Sequence, residues 1–516
     1  MKKKITILLI SIIFGMAMPS CTNLDENVYD KLSAESFGST EVEVNALLGT
    51  VYNTLKTYWP NRIDMSESAG SMAVRPTRRG GDWYDGGQYR EFYMHTWTAQ
   101  TSAIRSAWNS ASTAVGTCNA TIDLLKNSEF MTDETIASVR GVRAFWLYIM
   151  LDYWGNVPLV IDYQDRELPA NKSRQEVFDW LIQEVSEIAK QCPDGNYGNY
   201  GKFTKGAAYF LLAKLYLNAE AWKVNVNNAY AQCIAACDSV LDMDYTLEPD
   251  YKTNFGILDR SREGILTVCF SESNTEDRNE LMNFTLHYAD NDSEGSKYGA
   301  WNGICAQPDY VKLFDTEDPR YAASFRIGQR FHLVTGDTLL TGHGNPLNYT
   351  VNFTIIPDTE YDGGPWGAVV QEAGARCQKW PYSTSLTNAM GNHFHIFRLA
   401  DIYLTKAEAL LRSGGDASEA TRLVNEIRKR AYGDETHNHE TVDLAKVQLE
   451  RRFELAWESW SRQDDIRFDD FENAYWSESN CPRKTDKYLR LFPIPQTAWQ
   501  TNQNLVQNPD YPSFGN

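Results

Sequence analysis

Apolar residues recur at helical spacing over long stretches of this chain. Val139, Val142, Trp146, Ile149 and Tyr153 step by three and four and mark one face of a helix that Gly155 should end, with Pro158 just beyond. Ala208, Leu211, Leu215 and Ala219 repeat the pattern in 205–221, and the Ala- and Cys-rich stretch 228–241 suits close packing against it. Ala400, Tyr403, Leu404, Ala407, Leu410 and Leu411 form another stripe. Gly414-Gly415 interrupts it, and Ala420, Val424, Ile427 and Ala431 start the next. Asp416 followed by Glu419 predicts a capping box at that restart.

The spacing predicts about four helix pairs: 41–58 with 101–127, 133–154 with 174–192, 204–222 with 227–242, and 395–413 with 416–432. A further amphipathic helix over 441–460 carries Leu449, Phe453, Ala456, Trp457 and Trp460. Small residues where paired helices touch are the mark of tetratricopeptide-type units. Between 243 and 394 the texture changes to Gly, Asn, Asp, Pro and aromatics, with short β-like runs at 264–270 and 349–356. The expected fold is mainly α: a tetratricopeptide-like scaffold of helix pairs bearing a large loop-rich insertion with short strands. Its expected parts are a signal peptide over 1–20, a helical scaffold over 21–242, a ligand-binding insertion over 243–394, and a C-terminal helix pair, amphipathic helix and tail over 395–516.

The formal net charge of −19 gives no electrostatic basis for binding nucleic acid, whose affinity rests on phosphate neutralisation. The nine cysteines are scattered and form no CxxC pair, which argues against a zinc ribbon. Most fit the role of small buried hydrophobes. Lys2-Lys3-Lys4, an apolar stretch from Ile5 to Met18, and Pro19-Ser20-Cys21 read as an export signal ending at a lipidated Cys21. The apolar stretch is too short to remain as a membrane span.

The loop Arg79-Gly80-Gly81-Asp82-Trp83-Tyr84-Asp85-Gly86-Gly87 is too polar and too rich in Gly to be core. It can hold an indole and a phenol at a surface beside carboxylates and a guanidinium. Flat rings cover the C–H face of a sugar, while Asp, Asn and Arg satisfy its hydroxyl rim. Asp82, Trp83 and Tyr84 are therefore the first candidate ligand contacts. Trp301 and Asn302, in Trp301-Asn302-Gly303-Ile304-Cys305, are the second. Arg376, in 374–380, is the third, a bidentate donor or a buried ion-pair partner. Trp366, between Pro365 and Gly367, is the fourth.

Other patterns carry less. Asp290-Asn291-Asp292-Ser293-Glu294-Gly295 opens like a calcium loop, but its twelfth position is Trp301. His393/His395 and His437/His439 lack a further ligand at metalloenzyme spacing. Glu450, Glu454 and Glu458 line one helix face, whereas a glycosidase needs carboxylates on opposite sides of its bond. No catalytic residue, metal or cofactor is expected.

Several stretches resemble the SusD/RagB family of surface lipoproteins. They are Val139-Arg-Gly-Val-Arg-Ala-Phe-Trp-Leu-Tyr with Tyr153-Trp-Gly-Asn-Val-Pro-Leu159, Gly201–Tyr209 with Leu212–Ala219, and Arg398–Ala409. To these add Glu450–Glu458 with Asp464–Phe468, and Phe492-Pro-Ile-Pro495 with Asn504–Tyr511. The acidic residues after Cys21 resemble the surface-export signal of Bacteroides-type lipoproteins. The resemblance implies a non-enzymatic lipoprotein at the outer-membrane surface. It would capture an oligosaccharide and deliver it to a SusC-like TonB-dependent transporter, acting as its hinged lid. A peptide ligand, or a helical glycoside hydrolase or lyase, are the alternatives. The quoted motifs are expected to be scaffold, with ligand contacts on the loops.

Overall fold

The computed structural model describes residues 38–58, 62–257, 260–271, 279–294, 299–355, 369–381, 390–473 and 485–514. Cys21, the export signal and Trp366 lie outside them.

Ten helices of seven or more residues organise the described chain. They are α1 (Glu41–Thr54), α2 (Ser102–Leu125), α3 (Asp133–Trp154), α4 (Arg174–Ile188), α5 (Lys205–Asn218), α6 (Ala229–Leu241), α7 (Leu399–Arg412), α8 (Ala417–Tyr432), α9 (Leu444–Leu455) and α10 (Ser461–Arg467). Each of α1 to α8 packs on the next, including α6 on α7 across the long intervening segment. The four expected pairs are present, stacked in chain order.

Local chemistry sets the helix ends. Thr40 with Glu43 caps α1 and Ser173 with Glu176 caps α4, each as a reciprocal box. Asp416 accepts the amides of Ser418 and Glu419 at the start of α8, but the Glu419 carboxylate turns to Arg422 and Lys406. That cap is therefore one-sided rather than the expected box. Gly155, at φ 70°, ends α3 as expected. From Val139 to Trp154 every residue of α3 except Arg140 is buried, so neighbours enclose this helix on all sides. Arg140 and Arg143 reach from it to Glu184 of α4, at 2.8–2.9 Å.

The expected helix over 441–460 stops earlier. Ala456 leaves helical geometry, Trp457 and Ser459 take φ of 69° and 68°, and α10 starts at Ser461. Buried cations explain the break. Lys379 donates to the carbonyls of Glu454 and Ala456, and Arg398 donates to that of Glu454, taking acceptors a longer helix would use.

The segment between α6 and α7 leaves and returns at one place. Its strands β1 (Gly264–Val268) and β2 (Phe394–Arg398) pair antiparallel, with Phe394 opposite Val268 and Arg398 opposite Gly264. Buried charges reinforce this closure. Arg320, Lys379, Arg398, Arg428 and Arg430 face Glu263, Asp318, Glu450, Glu454 and Glu458. Five cations match five carboxylates, so the network is neutral and joins the insertion to α8 and α9. Burial raises the Glu454 carboxyl, but Arg430, Arg398 and Arg320 outweigh it and hold the group far below the usual carboxylate range.

Candidate ligand site

The loop 79–87 folds by local turns. Gly81 N–H donates to the Arg78 carbonyl, and Arg78 N–H to that of Asp82. Gly80 and Gly81 sit at φ 103° and 95°, backbone that an L side chain would strain. Trp83 itself sits at φ 62°, uncommon for a bulky residue, so its surroundings must hold it there.

Those surroundings come from two distant segments. The Trp83 indole N–H donates to the Trp301 carbonyl at 2.6 Å. Trp83 packs against Tyr89 and Phe284, and Phe284 meets Trp301 edge-on with ring centroids 4.7 Å apart. Under this cluster lies Arg75, its guanidinium carbon 4.7, 4.6 and 4.8 Å from the rings of Trp83, Tyr89 and Phe284. Asp64 holds Arg75 from below through contacts of 3.1 and 2.9 Å. Gly303 allows the close approach: a Cβ there would lie 2.8 Å from the Phe284 carbonyl oxygen and 3.0 Å from Trp83.

A second cation stitches the backbone together. Arg78, fully buried, donates to the carbonyls of Asn302, Gly303 and Ala373 at 3.1, 3.0 and 2.7 Å. Burial, and then the nearby Arg376 charge, lower its pKa to about 10. On the outer side the Tyr288 hydroxyl donates to the Asp82 carboxylate at 2.9 Å, with Gln371 on the same oxygen at 3.3 Å. Burial and that hydrogen bond raise the Tyr288 phenol well above its ordinary value.

The structure thus brings together three of the four segments singled out in the sequence, but divides their residues into two kinds. Tyr84 and Tyr288 are 37 % and 42 % exposed, and Asp82, Trp83 and Trp301 are partly exposed. Asn302 and Arg376 are fully buried, which corrects their reading as direct contacts. Arg376 donates to the Asn302 side-chain oxygen at 2.8 Å and to the carbonyls of Gln371 and Thr285. The Asn302 amide donates to Gln371 at 2.5 Å. With these side-chain groups spent on protein, neither residue faces solvent; they brace the backbone that carries Trp301. Arg75, Arg78, Phe284, Tyr288 and Gln371 were not singled out. Only Arg78, directly before the glycine-rich loop, stood near a recognisable signal.

The remaining patterns resolve as structure. Asp290 is buried against Tyr349, Arg330 and Arg326, so its charge is spent on cations of the protein. Both ring nitrogens of His395 are engaged, by Thr267 and the Asn254 carbonyl, and burial lowers its pKa to about 4. Among the described residues no group of three or more His, Cys, Asp or Glu side chains could hold a metal ion. The described cysteines are buried except for Cys269. Among the same residues no helix is long and apolar enough to cross a membrane.

A family model described as the SusD family matches residues 262–511. The starch-binding protein SusD of Bacteroides thetaiotaomicron is 26% identical over 438 residues, covering 75% of each chain. A solved SusD homologue from the same species superposes with a TM-score of 0.73 at 19% identity, over 93% of this chain and 99% of that one. A laminarin-binding SusD-like protein gives 0.71 at 20% identity, over 92% and 100%. With its stacked helix pairs and the motifs they carry, this chain belongs to the SusD/RagB family.

Proposed function

We propose that this protein is a cell-surface lipoprotein, anchored to the outer membrane through Cys21. In this reading it captures oligosaccharides and delivers them to a SusC-like TonB-dependent transporter without altering them. The ligand is seated on Trp83, Tyr84, Trp301 and Tyr288, with Asp82 at the rim and Asn302 and Arg376 as braces behind. Trp366, outside the described residues, stays a candidate. The observation that carries the proposal is Trp83: a partly exposed indole at φ 62°, pinned by Trp301 and underlain by Arg75. Such support pre-orders a flat apolar face, so little entropy is lost when a pyranose ring stacks on it. The starch-binding relative and the laminarin-binding structural neighbour support this ligand class. A few rings on an open surface give modest affinity, about micromolar to millimolar.

Affinity gels containing plant, fungal and host polysaccharides test the proposal. Wild type should be retarded by at least one glycan, and Trp83→Ala should run freely in that gel while keeping its far-UV dichroism. A Trp83→Ala protein retarded as strongly as wild type contradicts the assignment. Steady release of reducing ends during incubation would favour a hydrolase instead.

A further inference from the structure

A cavity of ≈ 630 Å³ opens on the helical scaffold, between α1, the first turns of α3 and the loop 193–202, and reaches Cys269 just past β1. It shares no lining residue with the Trp83 cluster. A smaller cavity of ≈ 150 Å³ continues it, and Gly49, Tyr52 and Gly201 line both. The larger volume falls within the usual range for small-ligand sites.

Its loop is Asp194-Gly195-Asn196-Tyr197-Gly198-Asn199-Tyr200-Gly201-Lys202. Like 79–87, it sets aromatic rings among glycines and short polar side chains. The loop is ordered by its own bonds. The Asn196 side chain accepts the Asn199 amide at 3.2 Å, and the Asn199 side chain donates to the Asp194 carbonyl at 3.0 Å. Gly201 sits at φ 83°, and a Cβ there would lie 2.8 Å from the Cys269 sulfur. Tyr52 and Tyr200 stand in the cavity wall, and Tyr197, 43 % exposed, stands beside Tyr200. The guanidinium carbons of Arg262 and Arg260 each lie 5.9 Å from a ring centroid, of Tyr197 and Tyr200 respectively, as Arg75 lies beneath Trp83.

Two observations point to an occupant. Asn45 and Glu134, exposed on the cavity wall, make no side-chain hydrogen bond or ion pair to a described residue. Lys205, whose charge Glu134 feels, is bonded to Asp194 at 2.7 Å. The other is Gly49, inside α1. Glycine weakens a helix interior, yet a Cβ at Gly49 would meet no atom within 4 Å. Packing within the protein therefore does not require glycine there. Its missing side chain keeps open the space that both cavities share.

We propose that this cavity is a second carbohydrate subsite, which takes a short stretch of neutral sugar chain. Its ligand class rests on the glycan-capture reading, but its location does not. Glu134 accepts sugar hydroxyls, Asn45 donates and accepts at the rim, and the tyrosines cover C–H faces. A carboxylate at the wall, in a chain of net charge −19, turns anionic sugars away. Few stacking faces are open, so binding is weak, about millimolar. That is too weak to retard a protein in an affinity gel, so Trp83→Ala still runs freely there.

Saturation-transfer NMR titrations with maltotriose, laminaritriose, cellotriose and trigalacturonic acid test this on wild type and on Trp83→Ala, which lacks the first platform. Trp83→Ala should still bind at least one neutral trisaccharide, roughly tenfold or more above its binding of the acid. Adding Gly49→Gln fills the cavity with a good helix former. It should weaken that residual binding by roughly tenfold or more, while the melting temperature holds or rises. Adding Glu134→Ala instead should weaken it about three- to tenfold. Both positions are exposed, so neither change threatens the fold. Absence of any neutral-sugar binding to Trp83→Ala overturns the proposal, and if wild type binds, the glycan-capture reading survives that failure. Residual binding indifferent to Gly49→Gln and Glu134→Ala, or equal binding of the acid, also overturns it. Wild-type binding that Trp83→Ala leaves intact and Gly49→Gln removes would keep this subsite and sink the Trp83 assignment instead.

Discussion

Gly303→Ala tests the platform at the point where its geometry is tightest. No left-handed backbone is needed there, so the cost of a methyl is purely steric. The added Cβ would sit 2.8 Å from the Phe284 carbonyl oxygen and 3.0 Å from Cε2 and Cζ2 of Trp83. The carbonyl is held: it accepts the amides of Gly303 and Ile304 at 2.9 and 3.0 Å. The indole is the freer neighbour and must swing away, which stretches its 2.6 Å bond to the Trp301 carbonyl. Overpacking of this kind costs roughly 1–3 kcal/mol, and one lost hydrogen bond adds about 1 kcal/mol. A ligand that needs the indole in its original place must work against up to roughly 2–4 kcal/mol of strain, so affinity should fall by roughly thirty- to nine-hundredfold. Calorimetric titration with the retained glycan measures the loss, and near-UV dichroism of the tryptophans reports the ring shift. Unchanged affinity together with a changed aromatic spectrum would refute the idea that this ring carries the ligand. If neither changed, the packing argument itself would be wrong.

Two further outcomes follow from buried charge. Arg398→Met removes a cation that binds Glu263, Glu454 and Glu458 at 2.6–3.3 Å; breaking such a pair should cost about 3–5 kcal/mol, read as a lower urea midpoint, and a loss below about 1 kcal/mol would show the network to be replaceable. Glu67 is buried, with one carboxylate oxygen unpartnered and the other accepting the Ser459 amide, and burial raises its pKa to about 8. A raised folded pKa contributes stability that is full below the unfolded value near 4.5 and lost as pH rises through about 8. Glu67→Gln should therefore gain on wild type by a few kcal/mol between pH 5 and pH 8 in paired denaturant melts; a difference independent of pH would contradict that assignment.

The scaffold was legible because period and composition agree with each other in 133–154, 205–218 and 399–432. The Ala400–Leu410 and Ala420–Ile427 stripes meet in one buried cluster with Val442 and Val447. What escaped the sequence was set by distant partners. The helix over 441–460 breaks because Lys379 and Arg398 occupy its last carbonyls, and those two residues stand some 60 to 80 positions earlier in the chain. The glycine-rich loop announced Trp83, but nothing local announced Arg75 beneath it or Tyr288 beside Asp82. Asn302 and Arg376 read from the sequence as surface contacts, but both side chains are buried and bonded to protein. Polar residues in an irregular segment look alike whether they face solvent or hold a buried carbonyl, and only the partner geometry separates the two.

The most direct measurement is a crystal structure of the protein with the oligosaccharide that retards it. The account predicts a pyranose ring in van der Waals contact with Trp83 or Trp301, with its hydroxyls reaching toward Asp82 and Tyr288. Sugar density elsewhere, with those rings still bare to solvent, would contradict it.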